Sequence, residues 1–176
     1  MMAGNWGDHN TFSKFMLEWL TPTFVSAGSQ TLTLRAAAQY PDSVAVMEGL
    51  VGGTAYDEYF IVENRHRVQN DSGFESDGLL VWHVDATPNS RADDFEYDNS
   101  YTSHKLLRLM EADGLEEIET GNGYADADDY YDSGEEFTPG STPNSLKYDG
   151  LSSAVNVTTI SAAGSSMDAT FTIAST

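Results

Sequence analysis

Across residues 10–20 the large apolar side chains Phe12, Phe15, Met16, Trp19 and Leu20 recur at three- and four-residue spacing, which predicts an amphipathic helix. Asn10 or Thr11 can cap its first turn, and Pro22 stops it. About three turns of helix with such a stripe do not hold together alone in water, so the stripe must be buried against something else.

From Gln30 onward the pattern shortens to β-rich runs between turn residues: 31–36, 59–62, 79–84, 105–110, 155–160 and 169–173. Residues 78–85, GLLVWHVD, are apolar on both faces and read as a central strand covered on two sides. The Thr-rich C-terminal pair alternates apolar and polar residues and suits an outer sheet face. The fold expected is mainly β, an antiparallel sheet or β-sandwich with one N-terminal amphipathic helix.

Composition narrows the partners. The 176 residues carry 8 Lys+Arg against 28 Asp+Glu, a formal charge of −20, with 40% hydrophobic residues. A chain this long removes roughly 70% of its extended surface from water, so the acidity belongs to the surface of a folded unit. So negative a surface repels phosphate backbones and anionic headgroups, which argues against nucleic acid and against a membrane as partner. The absence of cysteine excludes disulfides, thiolate metal sites and a cysteine nucleophile. No apolar run reaches the roughly 20 residues of a membrane-spanning helix, and the first residues lack the pattern of a signal peptide.

Much of the charge is in one place. Between Arg108 and Lys147 there is no Lys or Arg, while eleven Asp and Glu fall from Glu111 to Glu136. Left uncompensated they would drive the segment apart, so the expectation is a loop that stays mobile or is held by cations. Asp126, Asp128, Asp129 and Asp132 offer hard oxygen ligands at short intervals, the chemistry calcium prefers. Their spacing is not that of an EF-hand, since Tyr131 and Phe137 would occupy its sixth and twelfth positions. A solvated acidic loop is the plainer reading.

His83 and Asp85 project on the same face of a strand, where the carboxylate could orient the imidazole, either for a metal or simply to satisfy a buried histidine. Glu63, Arg65 and Arg67 are expected to form structural ion pairs. Trp6, Trp19, Trp82 and Tyr124 read as core or as a stacking surface, whereas Tyr130 and Tyr131 sit in a segment too acidic to be buried easily.

Three stretches together resemble the immune inhibitor A-like metallopeptidases, secreted bacterial zinc proteases. They are EYFIVENR at 58–65 followed by GLLVWHVD at 78–85; LMEADG at 109–114 with the acidic segment and then TPNS at 142–145 and YDG at 148–150; and MAGNWGDHN at 2–10 leading to SKF and WLTP. The resemblance implies an extracellular location, a peptide or protein substrate and a zinc cofactor. The departure from the family is as informative: its zinc helix needs His-Glu-x-x-His, and His9, His66, His83 and His104 provide neither the four-residue spacing nor the following Glu. The resemblance therefore implies a C-terminal piece, with residues 1–28 ending a catalytic domain, 29–176 forming a β-rich domain, and the zinc ligands in an upstream segment. In that setting Met2 matches a Met-turn-like bend, and His9 lies near the cleft, where an imidazole could contact substrate or only serve the helix start.

Overall fold

The computed structural model describes residues 7–50, 52, 54–100, 102–174; Met2 and Trp6 lie outside them. The chain is mainly β, with one five-stranded and one three-stranded sheet. The larger contains β1 (Thr23–Val25), β3 (Val44–Val46), β4 (Glu58–Arg65), β5 (Gly78–Asp85) and β6 (Leu107–Leu109), in spatial order β1-β3-β4-β5-β6. Its β1–β3 pair is parallel and the rest antiparallel. The smaller contains β2 (Gly28–Arg35), β7 (Val155–Thr158) and β8 (Ser166–Ile173) in order β2-β8-β7, all antiparallel.

The alternation read in the sequence sorts the faces. In β8, Met167, Ala169, Phe171 and Ile173 are buried and join Leu34 of β2 and Val155 and Val157 of β7. The hydroxyl pairs Ser29–Thr172 and Thr31–Thr170 line the other, exposed face. Phe60, Val62, Leu79 and Val81 of the larger sheet share one apolar cluster with these residues and Phe137. The central pair β4–β5 is buried along nearly its whole length, as its continuous apolar runs require. The strands β1 and β3, three residues each, are too short to show a period, so the hydrophobic pattern does not predict them.

The N-terminal helix α1 is shorter than its periodicity predicts: Thr11–Met16. Asn10 caps it, accepting the Ser13 N–H at 2.8 Å. Glu18, at φ 58°, turns the chain out of the helix before Trp19, which is left 60% exposed, while Phe12, Phe15 and Leu20 are buried. The acidic segment is folded too. It contains the four-residue helix α2 (Glu117–Thr120) and a 3-10 turn at Ala127–Asp129.

Candidate functional site

The larger sheet has two apolar faces and only one of them meets the smaller sheet. On the other, Glu63 lies opposite Leu80, and Trp82 opposite both Ile61 and Leu109. Helix α1 covers the β4 side of this face and the acidic segment covers the β6 side. Between them is a cleft of about 530 Å³, floored by Leu80, Trp82 and Leu109 and walled by the Gly7–Ser13 segment on one side and Ile118, Asp129 and Tyr130 on the other.

A buried guanidinium fixes one wall. Arg65, 2% exposed, donates from Nη2 to Glu63 Oε1 at 3.0 Å and from Nη1 to Asp71 Oδ2 at 2.9 Å. The same nitrogens reach the backbone oxygens of His9 at 2.9 Å and Asp8 at 3.3 Å. Glu63 Oε2 receives both the N–H and the hydroxyl of Thr11, at 3.0 and 2.5 Å, and Asp71 Oδ1 receives the Asp8 N–H at 2.8 Å. Burial works against the Arg65 charge, but the two adjacent carboxylates outweigh it and raise its pKa. The expected Glu63–Arg65 pair is therefore present. Arg67 instead pairs with Asp77, at 3.3 Å on the surface. The structure places His9 on the cleft rim, its ring edge-on to Trp19 at 5.4 Å, with its carbonyl committed to Arg65.

The opposite wall carries carboxylates. Glu111, Asp113 and Asp129 each bring one oxygen within 4.8 Å of the others, so this trio could contribute to holding a hard cation. Of the four aspartates singled out in the sequence, Asp129 belongs to the trio. Asp126 caps the 3-10 turn by accepting the Asp128 N–H at 2.8 Å, Asp128 is exposed, and Asp132 Oδ1 accepts the N–H groups of Ser133 and Ala163 at 2.6 and 2.7 Å. The trio is also served by backbone donors: Glu111 accepts from Glu117 and Ile118 at 2.6 and 3.0 Å, and Asp129 from Asp126 at 2.7 Å. Burial nevertheless pushes the carboxyls of Glu111 and Asp129 up. Lys105 and Arg108 reach in from outside the basic-free stretch to pair with Glu119 (2.6 Å) and Glu116. Much of the charge that the sequence left uncompensated is thus answered by N–H groups and these two cations.

Tyr130 and Tyr131 correct the expectation that acidic surroundings would keep them out of the core. They are 7% and 1% exposed, because Tyr131 pairs both its backbone groups with Leu79, at 2.9 and 3.0 Å, extending the edge of β5. Gly78 allows that approach: a Cβ there would lie 2.8 Å from Tyr130 Cβ and 2.9 Å from the Tyr131 oxygen. Tyr124, by contrast, is 93% exposed. Burial raises the phenol of Tyr130 to about 12.

His83 and Asp85 share a face, but each has another partner. His83 Nε2 lies 3.0 Å from Glu58 Oε1, and Asp85 Oδ2 lies 2.7 Å from His104 Nε2. Asp71, His104 and Tyr148 carry much of this geometry, and the sequence pattern assigns none of them a partner; each lies in a connection without periodicity, so no local signal marks its role. No protein-family model, curated protein or solved structure matches this chain.

Proposed function

We propose that this chain is the C-terminal part of a secreted, extracellular zinc metalloendopeptidase of the immune inhibitor A type, the supporting wall for an upstream catalytic segment that carries the His-Glu-x-x-His helix. One observation carries the reading: the larger sheet's second face is floored by Leu80, Trp82 and Leu109 yet open between α1 and the acidic segment. Leu80 and Leu109 are themselves buried, and the cleft above them, apolar at its base, is what an added segment of structure would fill. The exposed Trp19 beside His9 extends it. On this reading the two sheets act as a β-sandwich, α1 is the end of an amphipathic element whose remaining contacts are to the catalytic segment, and residues 1–28 belong to that segment's domain. Zinc, held by upstream residues, would supply the Lewis acid, and His9 would face the substrate from the rim. The chain by itself would not hydrolyse peptides.

The test compares this chain with the product of the extended reading frame on casein. The longer protein should cleave it in a zinc-dependent, chelator-sensitive way and this chain should not. Zinc-dependent cleavage by this chain alone, or an upstream frame without the zinc helix, would overturn the proposal.

The Glu111, Asp113 and Asp129 trio favours a second reading, a non-enzymatic extracellular β module that binds glycan or protein with calcium. Melting curves that coincide with calcium and with chelator would eliminate its calcium dependence.

A further inference from the structure

On the opposite side of the larger sheet from the cleft, four rings are piled face to face. His83 lies on Tyr148 with centroids 4.0 Å apart and planes 9° from parallel; Tyr148 lies on His104 at 4.0 Å, and His104 on Tyr97 at 3.4 Å. Phe60 backs His83 at 4.4 Å. Each imidazole is anchored to a carboxylate, His83 to Glu58 and His104 to Asp85, and these two acids face each other across the β4–β5 ladder. Glu58 Oε1 also accepts the backbone N–H of Tyr148 at 2.8 Å, and Asp85 Oδ1 accepts the N–H and hydroxyl of Thr87 at 3.1 and 2.6 Å. The pile therefore fastens two irregular stretches to the sheet: the connection between β5 and β6, which supplies Tyr97 and His104, and the stretch between the 3-10 turn and β7, which supplies Tyr148.

We infer that the His83–Tyr148–His104–Tyr97 pile is an acid-opened latch, holding both connections on the sheet while His83 is neutral and releasing them when His83 takes up a proton. His83 is 3% exposed. Burial holds its pKa below the ordinary histidine value; Arg108 on β6 acts in the same direction, while Glu58 on β4 and Asp85 on β5 oppose it. Burial lifts the Tyr148 phenol to about 12, with Glu119 and Asp85 acting in the same direction and Arg108 against them, so the phenol stays neutral throughout. Once released into water, His83 regains an ordinary pKa of about 6.5 and binds a proton that the closed form refuses. Closure is therefore fully favoured above that value and weakens as pH falls below it.

Hydrogen exchange on the whole chain, corrected for intrinsic rates, tests this. Between about pH 7.5 and about pH 5.5 protection in peptides covering 97–106 and 145–150 should fall about tenfold, the effect of one proton over that interval, while β8 is unchanged. His83→Phe keeps a ring between Phe60 and Tyr148 but cannot titrate, and should abolish the response; His104→Phe should retain it. An unchanged native profile, an equal acid response in His83→Phe, or its loss in His104→Phe would overturn the latch. Should His83→Phe not fold, NMR titration of the native chain decides. The His83 ring and the Tyr97 and Tyr148 signals must follow one curve, and tyrosine signals that stay still while His83 titrates refute the proposal.

Discussion

The indole N–H of Trp82 donates to Glu63 Oε1 at 2.9 Å, the same oxygen that receives Arg65 Nη2. The floor of the cleft and the ion-pair hub that positions its wall are thus one hydrogen-bonded unit. Glu63 and Arg65 are both essentially out of water. Their charges are tolerable only as a set, because each offsets the desolvation of the others.

Removing one member should cost more than the pair contributes net. Arg65→Ala leaves Glu63 and Asp71 buried and uncompensated, with an expected loss of about 3–5 kcal/mol in urea unfolding. Trp82→Phe removes only a hydrogen bond to a charged group and part of the floor, with an expected loss of about 1.5–3 kcal/mol. Comparable losses in the two variants would mean that the hub does not act through buried charge.

Gly78→Ala tests the close approach of the acidic segment to β5. The added methyl meets backbone and a Cβ rather than a flexible side-chain tip. Overpacking of this kind should cost about 1–3 kcal/mol, and hydrogen exchange should rise first at the Leu79 and Tyr131 amides that pair there. A variant as stable as the parent would show that the segment docks without this contact.

Phe171 and Phe137 occupy the core shared by the two sheets and are both fully buried. Phe171→Ala should cost about 3–5 kcal/mol, read as a shifted denaturation midpoint with unchanged slope.

The pH dependence of the acidic wall runs opposite to that of the latch. Burial raises the carboxyls of Glu111 and Asp129, so the folded form holds those protons more tightly than the unfolded chain does. Their contribution therefore favours folding at acid pH and is lost as pH rises through the raised values. Asp129→Asn, which keeps the shape and removes a charge, should flatten this part of the stability–pH curve measured by thermal melting. If a divalent cation occupies the trio, calcium at about 100-fold over its Kd should add about 2.7 kcal/mol, and the same substitution should remove that gain.

How much was legible depended on whether a residue's neighbours along the chain shared its fate. The continuous apolar runs of β4 and β5 and the alternation of β8 were readable because every second or every successive side chain meets the same environment. The helix is shorter than its pattern: the stripe at 10–20 includes Trp19, but the helix ends at Met16 and the left-handed Glu18 leaves that ring outside. The acidity of the segment argues against easy burial of Tyr130 and Tyr131, yet both are buried. A run of charge says nothing about the backbone N–H groups that Glu111, Asp129 and Asp132 find once the chain turns.

The amino-acid sequence by itself determined that this is a mainly β chain with a doubly covered central pair, a heavily negative surface and no His-Glu-x-x-His among its residues. Only the tertiary structure decided which charges meet. Asp71 reaches Arg65 and Asp85 takes His104 across turns of irregular length, Glu58 takes His83 diagonally across the β4–β5 ladder, and Tyr148 lies between the two imidazoles. Periodicity records only which way a side chain points relative to its own strand or helix. Partners brought together by loops leave no period, since their distance is fixed by packing elsewhere.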